Sequence, residues 1–190
     1  MRSAEHEMPG SLTGRKERPE RIKVWDPVVR LFHWALVGFF AFSFFTGDEW
    51  KSAHMLSGYI IGGLVSIRVL WGLFGSEHAR FVNFVRSPVT VLSFLADTAR
   101  MRAKRYIGHN PAGGVMVIAL LLMIAGIVTT GTMMTTDAFW GIEWVEDTHK
   151  KLVYSTLGLI ALHIFGVLLA SIEHRENLVR AMITGWKRRN

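Results

Sequence analysis

Apolar residues along this chain collect into four long blocks, roughly Val28–Phe45, Met55–Phe74, Ala112–Met134 and Leu152–Ile172, separated by polar stretches. Each block is near the ~20 residues that a helix needs to cross a bilayer. Glycine and serine inside them are ordinary for membrane helices. The connection "TGDEWKSAH" is so short that the first two blocks must form an antiparallel hairpin, and "TTDAFWGIEWVEDTHKK" joins the last two. The pattern predicts an all-α membrane protein, a bundle of four transmembrane helices.

The polar stretches refine this picture. "MRSAEHEMPGSLTGRKERPER" has no apolar core and does not read as a signal peptide. Residues 1–24 are expected to be a disordered cytoplasmic arm, leaving 25–190 as the membrane domain. "SPVTVLSFLADTARMRAKR" opens on a Ser-Pro helix start and groups Val91, Leu92, Phe94 and Leu95 on one face. It is expected to be an amphipathic interfacial helix on the cytoplasmic side, and the tail "NLVRAMITGWKRR" a second one.

Charge sets the orientation. Six basic residues lie in the arm up to Lys23, six in the 75–111 connection and five in the tail, with Arg30 at the mouth of the first block. The opposite side has only Lys51, Lys150 and Lys151, against Asp48, Glu49, Asp137, Glu143, Glu146 and Asp147. By the positive-inside rule both termini of this multi-pass protein are cytoplasmic, the arrangement the resemblance described below implies for a bacterial inner membrane. The net charge of +7 is therefore topogenic rather than a nucleic-acid footprint, and it suits anionic lipid headgroups. Trp34, Trp71 and Trp186 fall at the inner boundary and Trp50, Trp140 and Trp144 at the outer one, as amphipathic rings prefer.

The chain has no cysteine, which excludes disulfides, iron–sulfur clusters and covalently attached haem. Eight histidines remain for metal chemistry. His33 lies near the inner end of the first span and His54 at the outer end of the second. His149 and His163 are 14 residues apart, about 21 Å along one helix and within ~40° of one face. His54 and His149 thus share an outer layer, and His33 and His163 an inner one. Two imidazoles per layer from different helices of a bundle is the ligand set of a six-coordinate b-type haem, so two haems b are expected. Gly58, Gly62 and Gly158 offer places where no side chain would meet a porphyrin edge, although such spacing also serves helix packing. Arg68 lies 14 residues below His54, at the depth of the inner haem, and is the expected propionate partner, since a lone charge there is costly. Arg30 and Lys150 or Lys151 are further candidates, with ordinary boundary charges as the alternative.

"VWDPVVRLFHW", "AHMLSGYIIGGLVSIRVLWGLFG", "GHNPAGG" and the pair His149 and His163 together resemble the bacterial cytochrome b561 family, over about residues 22–188. That family includes cytochrome b subunits of nickel–iron hydrogenases and, more distantly, of formate dehydrogenase. The resemblance implies a four-helix dihaem protein passing electrons between quinone and a redox partner, with ligands at His33, His54, His149 and His163. It also implies that the first helix pairs with the fourth on the cytoplasmic side, and the second with the fourth on the other. Formate-dehydrogenase-type relatives use the region of "YIGHNPAGG" for quinone, where His109 and Asn110 would hydrogen-bond a quinone carbonyl. Asn110 also reads as a plain N-cap with Pro111 at N1.

The expected function is respiratory electron transport across the membrane between the quinone pool and a periplasmic redox partner, such as a c-type cytochrome steered by the acidic outer face. The alternatives are a superoxide:quinone oxidoreductase, which the acidic face disfavours for an anionic substrate, and an electron-transfer anchor subunit of a hydrogenase or dehydrogenase. Whether the chain is itself a quinone-linked oxidoreductase stays open at this level.

Overall fold

In a computed structural model, which describes residues 20–47 and 49–189, the chain runs β1 (Arg21–Lys23), α1 (Pro27–Thr46), α2 (Lys51–Phe74), α3 (Phe81–Phe84), α4 (Pro88–Ala99), α5 (Pro111–Met133), α6 (Glu143–Glu173), α7 (Leu178–Thr184) and β2 (Trp186–Arg188). Residues 1–19 of the expected arm, Asp48 and Asn190 lie outside the described residues.

Three helices start alike, with a short polar side chain followed by proline. Asp26 accepts from Val29 N, Ser87 from Thr90 N and Asn110 from Gly113 N, and proline follows where its missing N–H costs nothing. Asp26 does more than cap. Its carboxylate also accepts from Trp71 Nε1 at 3.1 Å and from Ser76 Oγ, pinning the start of α1 to the end of α2. Burial alone would raise the Asp26 pKa, but the hydrogen bonds from Ser76, Val29 and Trp71 outweigh it and hold the carboxyl below its ordinary range.

Helices α1, α2, α5 and α6, of 20, 24, 23 and 31 residues, are long and apolar enough to cross a membrane. Their large apolar side chains face outward: Leu31, Phe45 and Phe74 are all strongly exposed. Such a surface suits lipid and would be a liability in water. The architecture is that of a multi-pass membrane protein. The predicted spans hold, with one difference. Helix α6 begins at Glu143, nine residues before the apolar block. "EWVEDTHKK" is too polar to read as a span, yet acidic side chains favour a helix N-terminus, and Val145 is fully buried there. At ~1.5 Å per residue, α6 is about 46 Å long and outreaches the hydrocarbon.

The α1–α2 and α5–α6 pairs are antiparallel hairpins, and α2 packs against α5. Ile61, Val65, Leu121 and Ile124 form the buried core between them, with Phe32, Leu36 and Phe40 of α1 packed on it. Gly62 meets Val128, where an added Cβ would come within 3.0 Å, so this glycine serves α2–α5 packing rather than the cofactor space expected of it. Helix α6 packs on α5 and makes no comparable approach to α1 or α2. One end of the bundle carries the first and last described residues (the terminal end); the other carries the α1–α2 and α5–α6 turns (the hairpin end).

At the terminal end β1 and β2 pair antiparallel, Arg21 opposite Arg188 and Lys23 opposite Trp186. The last residues of the arm expected to be disordered are therefore a strand. Polarity argued for disorder, but a strand needs only a partner, and the tail supplies it. The tail likewise departs from the single amphipathic helix expected: Gly185, at φ +87°, ends α7 and turns the chain into β2. Beneath this clasp Glu176 pairs with Arg105 at 3.3 Å and with the buried Lys187 at 3.5 Å. Helix α4 exposes Val89, Leu92 and Leu95, but Phe94 turns inward against Tyr106.

Candidate functional site

At the hairpin end His54 of α2 and His149 of α6 come together, their ring centroids 6.2 Å apart and their planes at 73°. Each ring is held through Nδ1. His54 Nδ1 lies 2.9 Å from the Ser43 carbonyl and 3.2 Å from its hydroxyl. A carbonyl only accepts, so Nδ1 carries the proton and Nε2 keeps its lone pair. His149 Nδ1 lies 3.0 Å from Thr130 Oγ1. That hydroxyl donates to Gly126 O at 2.8 Å, so toward the imidazole it accepts. Both histidines therefore present Nε2 as a free donor atom of the kind a metal binds. Glycine makes the space beside His149, where a Cβ at Gly131 would stand 3.2 Å from Cε1.

Two such imidazoles, contributed by different helices, would be able to hold one metal-centred cofactor between them. Among the described residues no three or more His, Cys, Asp or Glu side chains converge as a metal site. The imidazoles come two at a time, the number a bis-histidine haem takes.

At the terminal end lie His33 of α1 and His163 of α6. His33 Nδ1 is enclosed and without a hydrogen-bond partner among the described residues, as are Arg30 Nε, Arg68 Nη1, Arg80 Nε and His109 Nδ1. All five belong to this end, and three are guanidinium N–H donors. That donor set fits the carboxylates a haem brings with it.

The other predicted residues divide. Arg68 is buried, donates to Ala79 O at 3.2 Å and lies over the Phe81 ring at 5.1 Å. Its side chain packs against the segment after α2, at Ala79 and Phe81. Arg30 instead donates to Ile183 O and ties α1 to α7. Lys150 pairs with Glu146 at 2.7 Å on the exposed face of α6. Asn110 spends its side-chain oxygen on the cap to Gly113 at 2.6 Å. His109 is wedged between Trp25, at 4.7 Å, and Phe84, at 4.4 Å. Burial, and then the charges of Arg68 and Lys187, push its pKa down to about 3, so its imidazole is neutral at physiological pH. Gly58 and Gly158 face open space, as a cofactor edge requires.

Sequence reading missed Ser43, Thr130, Gly131 and Asp26. Helix α5 carries no histidine and seemed uninvolved, yet it supplies the hydroxyl that holds His149. The available signal was depth: Ser43 and Thr130 are polar residues near the hairpin ends of apolar helices, level with His54 and His149.

The chain matches the family described as prokaryotic cytochrome b561 over residues 24–185. It is similar to the probable Ni/Fe-hydrogenase B-type cytochrome subunit of Azotobacter vinelandii, 24% identical over 166 residues that cover 72% of this chain and 68% of the relative. A protein of the same description from Rhizobium leguminosarum bv. viciae is 20% identical over a 212-residue alignment covering 87% of this chain and 88% of the relative. No solved structure gives a significant match. The family match takes in all four long helices and both histidine pairs, and the chain belongs to the prokaryotic cytochrome b561 family.

Proposed function

We propose that the chain is a dihaem electron conduit, held by His54 and His149 at the hairpin end and by His33 and His163 at the terminal end. The observation that carries this reading is the hairpin-end pair: two imidazoles 6.2 Å apart, each with Nδ1 hydrogen-bonded and Nε2 left to bind. Haem, when bound, supplies a one-electron carrier. The protein's part is to fix the ring orientations, to meet the propionates with Arg68 and neighbouring donors, and to keep water away with apolar helices.

In this reading the terminal end faces the cytoplasm, because the basic residues gather there. Helix α4 lies along that membrane surface with Val89, Leu92 and Leu95 toward lipid. Quinone exchanges electrons at this end. His109 keeps an unpartnered Nδ1 among the described residues, and the Asn110 cap uses only its oxygen, leaving its amide N–H groups for a quinone carbonyl. The acidic hairpin end meets a redox protein. The names of the relatives favour a second form of the same reading, in which that partner is a hydrogenase-type enzyme and this chain its electron-transfer subunit.

A pyridine haemochrome assay on the purified chain tests the reading. It should return two b-type haems per chain, extractable with acid acetone because no cysteine can hold them, and both should be reduced by added quinol. One haem, or none, overturns the dihaem reading; two haems that quinol leaves oxidised overturn the quinone assignment.

A further inference from the structure

The two histidine pairs are not equivalent in what holds them. At the hairpin end both rings have acceptors, the Ser43 carbonyl for His54 Nδ1 and, for His149, the Thr130 hydroxyl at 3.0 Å with the Ile127 carbonyl also bonding the ring. At the terminal end His33 Nδ1 is enclosed without a hydrogen-bond partner among the described residues. Charge differs as well: the buried guanidinium of Arg68 belongs to the terminal end.

Thr130 is built into α5 as a rigid acceptor. Its residue is buried, and its own proton is committed to Gly126 O, so its lone pair is oriented rather than free to rotate. The adjacent Gly131 lets the His149 ring sit against the α5 backbone. Two consecutive residues of a helix without histidine thus seat one imidazole.

We propose that Thr130 is a positioning residue for His149, and that it lowers the reduction potential of the hairpin-end haem below that of the terminal-end haem. The inference rests on the dihaem reading. A hydrogen bond from Nδ1–H makes the imidazole a more basic ligand. A more basic ligand stabilises ferric over ferrous iron, which lowers the potential. At the other end the enclosed Nδ1 gives no such push, and the Arg68 charge favours the reduced form. Both differences act in the same direction.

Ser43 completes the contrast. Its closer contact to His54 is through the backbone carbonyl, so removing its hydroxyl leaves that bond in place. Side-chain substitution should therefore matter at Thr130 and little at Ser43.

The test is a potentiometric titration of the full-length, haem-loaded protein and its Thr130→Val, Thr130→Ser and Ser43→Ala variants, with low-temperature electron paramagnetic resonance to follow each haem. Thr130→Val should shift the reduction equilibrium of one haem about tenfold toward the reduced form, ~59 mV for one electron, and alter only that haem's resonance. Thr130→Ser should titrate like the parent, and Ser43→Ala should shift less than Thr130→Val. A Thr130→Val curve identical to the parent, an equal shift of both haems, or the same shift in Thr130→Ser overturns the proposal. A second measurement does not depend on a well-folded Thr130→Val protein. The lower-potential component of the parent should be the one lost in His149→Ala and kept in His33→Ala; the reverse overturns the ordering. Fewer than two haems in the parent would instead refute the dihaem reading beneath it.

Discussion

Replacing Asp26 should loosen the terminal end and disturb His33 while leaving the hairpin end alone. The carboxylate caps α1 through Val29 N at 2.9 Å and accepts from Trp71 Nε1 at 3.1 Å and from Ser76 Oγ. Losing an N-cap costs about 1 kcal/mol. Each hydrogen bond to a charged group adds about 1.5–3 kcal/mol, and the lower figure applies to this partly exposed carboxylate. Asp26→Ala should therefore cost about 4 kcal/mol, a fall of roughly 8–16 °C in melting temperature for a chain of this size. Asp26→Asn keeps the cap and an acceptor, and should lose about half as much. The pH dependence follows from the sign of the shift. The folded pKa lies below the unfolded value of about 3.9, so the charge contributes its stability fully above that value and loses it as pH falls through the folded pKa. The gap between parent and Asp26→Asn should be widest at neutral pH and should close as pH falls through the folded pKa. Thermal unfolding in detergent, followed by circular dichroism at several pH values, measures this. Because His33 sits seven residues beyond Asp26 on α1, only one haem's absorption should broaden. An Asp26→Ala melting temperature within about 2 °C of the parent, or a gap that does not change with pH, would refute the reasoning.

Two further outcomes concern the ligands and the buried charge. His33→Ala and His163→Ala should remove the same spectral component and His54→Ala and His149→Ala the other; haemochrome and redox titration of the four proteins would expose a wrong pairing if His33→Ala and His54→Ala lost the same one. Arg68→Gln should keep both haems and lower the potential of the terminal-end haem alone, because a positive charge near it favours the reduced form; curves identical to the parent's would leave Arg68 a structural residue bonded to Ala79.

Much of the architecture was legible because the sequence signals were covalent in scale. A run of twenty apolar residues has few alternatives, and the interval between His149 and His163 is fixed by the helix pitch once both lie on α6. The meeting of His54 with His149 followed from counting depth along the spans. What escaped were contacts between helices. Nothing local to Thr130 says that it faces His149, because that depends on how α5 rotates about its axis. Asp26 reads as a cap, yet its bonds to Trp71 and Ser76 come from residues 45 and 50 positions away. The early start of α6 was hidden because its first two turns are charged, and hydropathy cannot distinguish a polar helix from a polar loop. The strand at Arg21–Lys23 was hidden for a related reason: its partner lies at the far end of the chain.

That pairing has a consequence for how the protein is made. Arg21 and Arg188 can meet only after all four long helices between them have been made, so the clasp forms after those helices are synthesised. It also depends on parity. Each membrane crossing carries the growing chain to the opposite face, and an even number returns it to the face where it started. If one segment failed to insert, the two ends would be separated by the full thickness of the bilayer, and three residue pairs of ladder could not form across it. The clasp therefore closes only on chains whose insertion is complete, and a chain that has skipped a helix keeps both ends open to quality-control proteases.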